Sequence, residues 1–92
     1  MPSAQPVTVA LPSALVRLFP GCEREMNVSG ATVAEMIAAL DARWAGMRDR
    51  LCDSTPRIRR HISIFAAGER ATLNTPLASG VEVIILTAIS GG

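Results

Sequence analysis

Thr32 to Trp44 is the stretch that most constrains what this chain can become. Val33, Met36, Ile37, Leu40 and Trp44 recur at helical spacing and fall on one apolar face. Thr32-Val33-Ala34-Glu35 reads as a capping box. The Thr32 side chain can accept from the Glu35 amide while the Glu35 carboxylate reaches back. Gly46 is placed to stop the helix. At its spacing Trp44 is expected to be a core residue at the helix end rather than a stacking surface for a ligand. The other apolar stretches repeat every second residue. A single long helix can cover only one face of a sheet, so the other face must meet solvent or a partner.

The strands follow from alternation. In Val7-Thr8-Val9-Ala10-Leu11 the residues Val7, Val9 and Leu11 point inward, and Pro12 and Ser13 end the run. Phe19-Pro20-Gly21-Cys22 carries a turn signal, and Glu23 to Val28 reads as a second strand with Met26 and Val28 inward. The two make a hairpin. After the helix, Met47 to Leu51 can form one extra turn, and Asp53 to Pro56 is loop. Ile62-Ser63-Ile64-Phe65-Ala66 is a third strand with Ile62, Ile64 and Ala66 on one face. Ala67-Gly68-Glu69 turns the chain, and Arg70 to Leu73 supplies a short fourth strand. Val81 to Ile89 is the last and most apolar, with Val83 and Ile85 on one face and Ile84 and Leu86 on the other, as suits a central strand. The expected order is two strands, a helix, two strands, then a final strand.

That final strand runs into Ala88-Ile89-Ser90-Gly91-Gly92, expected to be a flexible tail. Glycine has no Cβ, so such an end can enter a narrow channel. An α-carboxylate there is ionised at neutral pH. Converted to a mixed anhydride, the Gly92 carboxyl becomes an acyl donor that no side chain shields.

Composition removes several classes of function. Residues 1–92 are one domain's worth of chain with one compact core. A formal net charge of +1 is too small to imply a polyanionic partner. No apolar run approaches the roughly 20 residues of a membrane span. Met1-Pro2-Ser3-Ala4 has neither a basic nor an apolar region of a signal peptide, so a cytoplasmic protein is expected. Cys22, Cys52 and the single His61 do not make a zinc site. A Cys22–Cys52 disulfide is open to the chain, but reduced, buried thiols fit a cytoplasmic protein better. Every one of the nine basic side chains is arginine. With no lysine, the chain has no side-chain amine to accept an acyl group. Arg57-Ile58-Arg59-Arg60 is a basic cluster with two readings: a site for an acidic partner or nucleic acid, or a solvated loop guarding a strand edge. No aromatic residues interleave with it for base stacking, so a nucleic-acid partner is not expected.

The arrangement resembles the β-grasp, ubiquitin-like fold: α+β, with a mixed sheet of four to five strands packed on one main helix. More narrowly it resembles the bacterial sulfur carriers of the MoaD/ThiS/CysO type. The resemblance spans Val7 to Gly92. It is carried by Ser29-Gly30-Ala31-Thr32-Val33 opening the helix and by Thr75-Pro76-Leu77 before the last turn. The third match is Gly80-Val81-Glu82-Val83-Ile84-Ile85, leading to Ala88-Ile89-Ser90-Gly91-Gly92. The extra length around Met47–Arg60 looks closer to CysO-like and MoaD-like members. The resemblance implies no catalytic residue and no bound cofactor or metal. It implies a cycle in which an adenylating enzyme of the ubiquitin-activating type uses ATP and magnesium to activate Gly92. A sulfur donor then makes a C-terminal thiocarboxylate. A partner synthase accepts the sulfur, either a molybdopterin synthase large subunit or a cysteine synthase homologue. The carrier alone is expected to be a monomer.

Three other functions stand beside the carrier. A protein modifier would be joined to targets through Gly92. An enzyme could use His61 with Asp41, Asp49 or Asp53 and a serine, but the chain has no nucleophile elbow or phosphate loop. A bare interaction domain would leave the glycines incidental. For a carrier the docking face follows from counting outward. If Ile62, Ile64, Val83 and Ile85 face the helix, then Phe65, Ile84 and Leu86 cluster on the uncovered face, just before the tail.

Overall fold

The computed structural model describes residues 6–55 and 57–87. Five strands form one sheet in the order β2-β1-β5-β3-β4. They are β1 (Pro6–Ala10), β2 (Glu25–Ser29), β3 (Ile62–Ala66), β4 (Glu69–Arg70) and β5 (Glu82–Thr87). The helices are α1 (Ser13–Val16), α2 (Val33–Arg43) and α3 (Met47–Leu51). β1 pairs antiparallel with β2 and parallel with β5, and β5 pairs antiparallel with β3. The last strand is therefore central, between the first and the third. This is the mixed sheet on one main helix expected of a β-grasp fold.

The core lies between α2 and one face of the sheet. Val33, Met36, Ile37 and Leu40 of α2 are buried, and so are Val7, Val9, Met26, Val28, Ile62, Ile64, Val83 and Ile85 from the strands. The strand residues alternate and those of α2 recur at helical spacing, as the sequence indicates. Apolar burial of this kind stabilises by about 1.5–3 kcal/mol per large side chain. Among the described residues no polar or charged side chain is buried.

Several boundaries differ from expectation. The second strand begins at Glu25, not Glu23, and extends to Ser29. The fourth strand is Glu69–Arg70 rather than Arg70 to Leu73. Ala67 and Gly68 have φ of 54° and 84°. Two consecutive positive values make the two-residue hairpin turn whose twist matches the strands, so pairing resumes at once with Ala66 opposite Glu69. After one more bond, from the Ala71 amide to the Ile64 carbonyl (2.8 Å), the chain turns: the Thr72 amide donates to Thr75 Oγ1 at 2.9 Å. The final strand ends its described course at Thr87; residues 88 and 89, to which it was expected to run, lie outside the described residues. α1 was not expected. Four residues are too few to show a helical period, and only Leu15 of the four is buried.

Trp44 is a partial exception to the core reading. It is the C-terminal cap of α2 and only half-buried, with the Arg43 guanidinium 4.9 Å from its ring centroid. The fully buried position at this corner belongs to Met47, the first residue of α3. Asp41 explains how α3 starts there: its Oδ1 accepts from the amides of Gly46 (3.1 Å) and Arg48 (3.0 Å).

Candidate functional site

The N-terminus of α2 anchors the loop that connects β4 to β5. Thr32 Oγ1 accepts from the Glu35 amide at 3.2 Å, and Glu35 Oε1 accepts from the Ala31 amide at 2.9 Å. Glu35 thus reaches one residue further back than in the usual box. The next donors go to the loop: the amides of Val33 and Ala34 donate to the carbonyls of Thr75 (3.1 Å) and Leu73 (3.0 Å). The Leu77 amide returns a bond to the Ala31 carbonyl at 2.8 Å. These bonds satisfy amides that a helix start leaves without partners. They also give Thr75-Pro76-Leu77 a structural task. Gly30 completes the junction. A Cβ there would lie 2.7 Å from the Met36 nitrogen and 2.9 Å from its Cα, so the chain leaves β2 flush against the first turn of α2.

The face of the sheet turned away from α2 carries the candidate docking residues. Phe65 and Ile84 are directly opposite across β3 and β5. Leu86 lies two residues along β5 on the same face, opposite Ser63. Ile84 and Leu86 are 37% and 47% exposed and Phe65 is half-buried, so two large aliphatic side chains stand open beside an aromatic ring. The register extends the row across all five strands as Glu25, Ala10, Ile84, Phe65 and Arg70. Ala10 and Arg70 were not among the residues singled out from sequence. The parallel pairing of β1 with β5 and the tight hairpin before β4 place them there, and neither is a local signal.

Ser90, Gly91 and Gly92 lie outside the described residues. The strand that leads to them is held on both sides only in its first half: Glu82 to Ile84 pair with β1, while Val83 to Thr87 pair with β3, its last residue opposite Ile62.

Among the described residues the aspartates considered as partners of His61 are engaged locally or lie at the surface. The Oδ1 atom of Asp41 serves the start of α3. Asp53 Oδ1 accepts from Thr55 Oγ1 (2.6 Å) and from the amides of Thr55 (2.9 Å) and Arg57 (3.0 Å). The Thr55 hydroxyl, then its amide, hold this carboxyl below the usual carboxylate range. His61 is exposed and shares a shallow depression with Asp49, Arg50 and Arg59. Cys22 and Cys52 are free thiols, as expected, but only Cys52 is buried and Cys22 is partly exposed; desolvation pushes both up from the ordinary thiol value. Among the described residues no three His, Cys, Asp or Glu side chains come together as a metal site, and no helix is long and apolar enough to cross a membrane.

No family model matches the chain. Relatives and solved structures do. The chain is 35% identical over 92 residues to the sulfur carrier protein CysO of Mycobacterium tuberculosis, covering 94% of this chain and 98% of that protein. Its fold superposes with a TM-score of 0.83 on CysO from the Amycolatopsis orientalis BexX/CysO complex, at 31% identity, covering 94% of this chain and 99% of that one. SAMP1 from Haloferax volcanii shares the fold at a TM-score of 0.80 and 24% identity, covering 95% of this chain and 99% of that one.

Proposed function

The chain belongs to the MoaD/ThiS/CysO-type family of ubiquitin-like sulfur carriers, and from that premise we propose that Gly92 is its working residue. In this reading an adenylating partner of the ubiquitin-activating type, using ATP and magnesium, joins the Gly92 carboxylate to AMP and releases pyrophosphate. Hydrosulfide equivalents from a donor then add to the acyl carbon, AMP leaves, and a thiocarboxylate remains. Its charge rests largely on sulfur, a soft nucleophile. A partner synthase of the molybdopterin synthase or cysteine synthase type takes that sulfur into a biosynthetic intermediate. The carrier supplies a handle, an arm at Ser90-Gly91-Gly92 and a docking face at Phe65, Ile84 and Leu86, and the chemistry belongs to its partners.

The observation that carries this reading is the match along nearly the whole length of a sulfur carrier. Two features support it. Large apolar side chains stand open on the sheet face where the strand leading to Gly92 is central. Phe65 is directly opposite Ile84 there and shares the face with Leu86. One domain over residues 1–92, acting as a monomer in a reducing, cytoplasmic compartment, suits the free thiols. The modifier reading has a likeness at the level of fold only, to the small archaeal modifier protein 1 of Haloferax volcanii.

The test is sulfuration. Incubating the protein with its adenylating enzyme, ATP and a sulfide source should replace one carboxyl oxygen by sulfur, read by intact-mass spectrometry. Deleting Gly92, or adding one residue after it, should abolish the mass shift and leave the melting temperature nearly unchanged. Sulfuration of the extended protein without trimming would overturn the assignment.

A further inference from the structure

The basic segment before β3 is built into a groove. Ile58 bridges to Cys52, the Arg59 amide donates to the Leu51 carbonyl (2.9 Å), and the Asp53 amide donates to the Arg57 carbonyl (2.8 Å). Asp53 Oδ1 closes the same turn through the Arg57 amide. The segment is therefore held against the end of α3, with Ile58 packed on the core. Facing it across β3 is the stretch after β4. Together they line a groove of about 420 Å³ whose walls include Arg57, Arg59, Arg60 and Arg70, with Ile58 and Leu73 among its apolar lining.

Its charge is one-sided. Four of the nine arginines of a chain with net charge +1 line this groove, and none of its lining residues is acidic. The contacts they make are to neutral groups: Arg59 Nε donates to the Asp49 backbone carbonyl (2.8 Å), and Arg70 Nη2 lies 3.4 Å from Ser63 Oγ. No carboxylate lines the groove, although Asp53 stands just outside it, where Arg59 helps to lower its carboxyl; a ligand bearing several carboxylates relieves the remaining repulsion among the guanidinium groups with charge-assisted bonds. The groove is also continuous with the open sheet face, because Arg70 is directly opposite Phe65 and Ser63 opposite Leu86.

We propose that this groove receives an acidic, extended segment of a protein that docks on the Phe65–Ile84–Leu86 face. The inference rests on the reading that this face is a docking surface. The apolar lining favours amino-acid side chains over a bare inorganic anion. Its lining has no aromatic side chain on which a base could stack, which disfavours nucleic acid.

The probe is a capped eight-residue peptide of alternating aspartate and glutamate, titrated into isotopically labelled protein and followed by amide chemical shifts. A peptide of alternating asparagine and glutamine is the control. The acidic peptide should move the amides of Arg59, Ser63, Ala71 and Leu73, leave Glu25 and Asn27 in place, and lose affinity as salt is raised. The Arg57→Gln/Arg60→Gln/Arg70→Gln variant should bind about tenfold more weakly. If that variant does not give a folded spectrum, Arg57→Gln/Arg60→Gln, which changes two exposed side chains, carries the test with a smaller loss. A protein lacking Gly92 should bind the peptide unchanged, so failure here is separable from failure of sulfuration. Three outcomes overturn the proposal: no acid-specific shifts at the groove, equal shifts with inorganic phosphate or a single-stranded oligonucleotide, or wild-type affinity in the arginine variants.

Discussion

Thr87, the last residue of β5, lies opposite Ile62, the first residue of β3. The pairing is antiparallel, so β5 finishes at the end of the sheet where Arg57–Arg60 enters β3. Leu86 is one residue short of that end, on the open face. The apolar face, the arginine groove and the exit toward residues 88–92 are therefore neighbours, and a partner seated on the first two has the third within reach.

Affinity for the partner should reside in the open face. Phe65→Ala and Leu86→Ala should each weaken binding to the adenylating enzyme by about 1 kcal/mol or more, with smaller losses of stability. Calorimetric titration beside thermal melts separates the two effects. Unchanged affinity with a collapsed melting temperature would make these residues core, not docking surface.

Stability should reside on the opposite face. Leu40 is fully buried, so Leu40→Ala should cost about 2–5 kcal/mol. Thr32→Ala loses one cap bond and should cost about 1 kcal/mol. Chemical denaturation measures both, and equal costs would contradict this division between packing and capping.

Gly30→Ala should destabilise the fold by about 1–3 kcal/mol. The added methyl meets the backbone of Met36 rather than a side chain that can swing aside. Gly21→Ala is a useful contrast: its Cβ meets nothing within 4 Å, but φ is +84°, so its cost is backbone strain alone. Restored stability on combining Gly30→Ala with Met36→Ala would show that the side chain, not the backbone, is the obstacle.

The Asp53 turn should be sensitive to acid. Its carboxyl titrates below the ordinary range, so protons bind it more weakly in the fold than in the unfolded chain. The turn's contribution to stability is present above the ordinary carboxylate range and is lost as pH falls through the depressed value. The Thr55 and Arg57 amides should shift together on acidification, and Asp53→Asn should remove that titration. Shifts that persist in the variant would assign them to another group.

The sequence determined whatever depends on near neighbours. The helix face from Val33 to Leu40, its Thr32 cap, and the alternation in β1, β3 and β5 are periodic or short-range patterns, so they can be read in one dimension. Even the facing of Ile84 and Leu86 follows from a period of two. Tertiary structure decided what depends on register and on close approach. It set Ile84 against Phe65, put β1 parallel to β5, and fastened the first helical amides to Leu73 and Thr75. It also carried Arg70 across to Arg57, Arg59 and Arg60. Which residues oppose each other is fixed by how the buried faces pack and by how few residues the Ala67-Gly68 turn needs. Those distances are set in three dimensions between residues far apart in the chain.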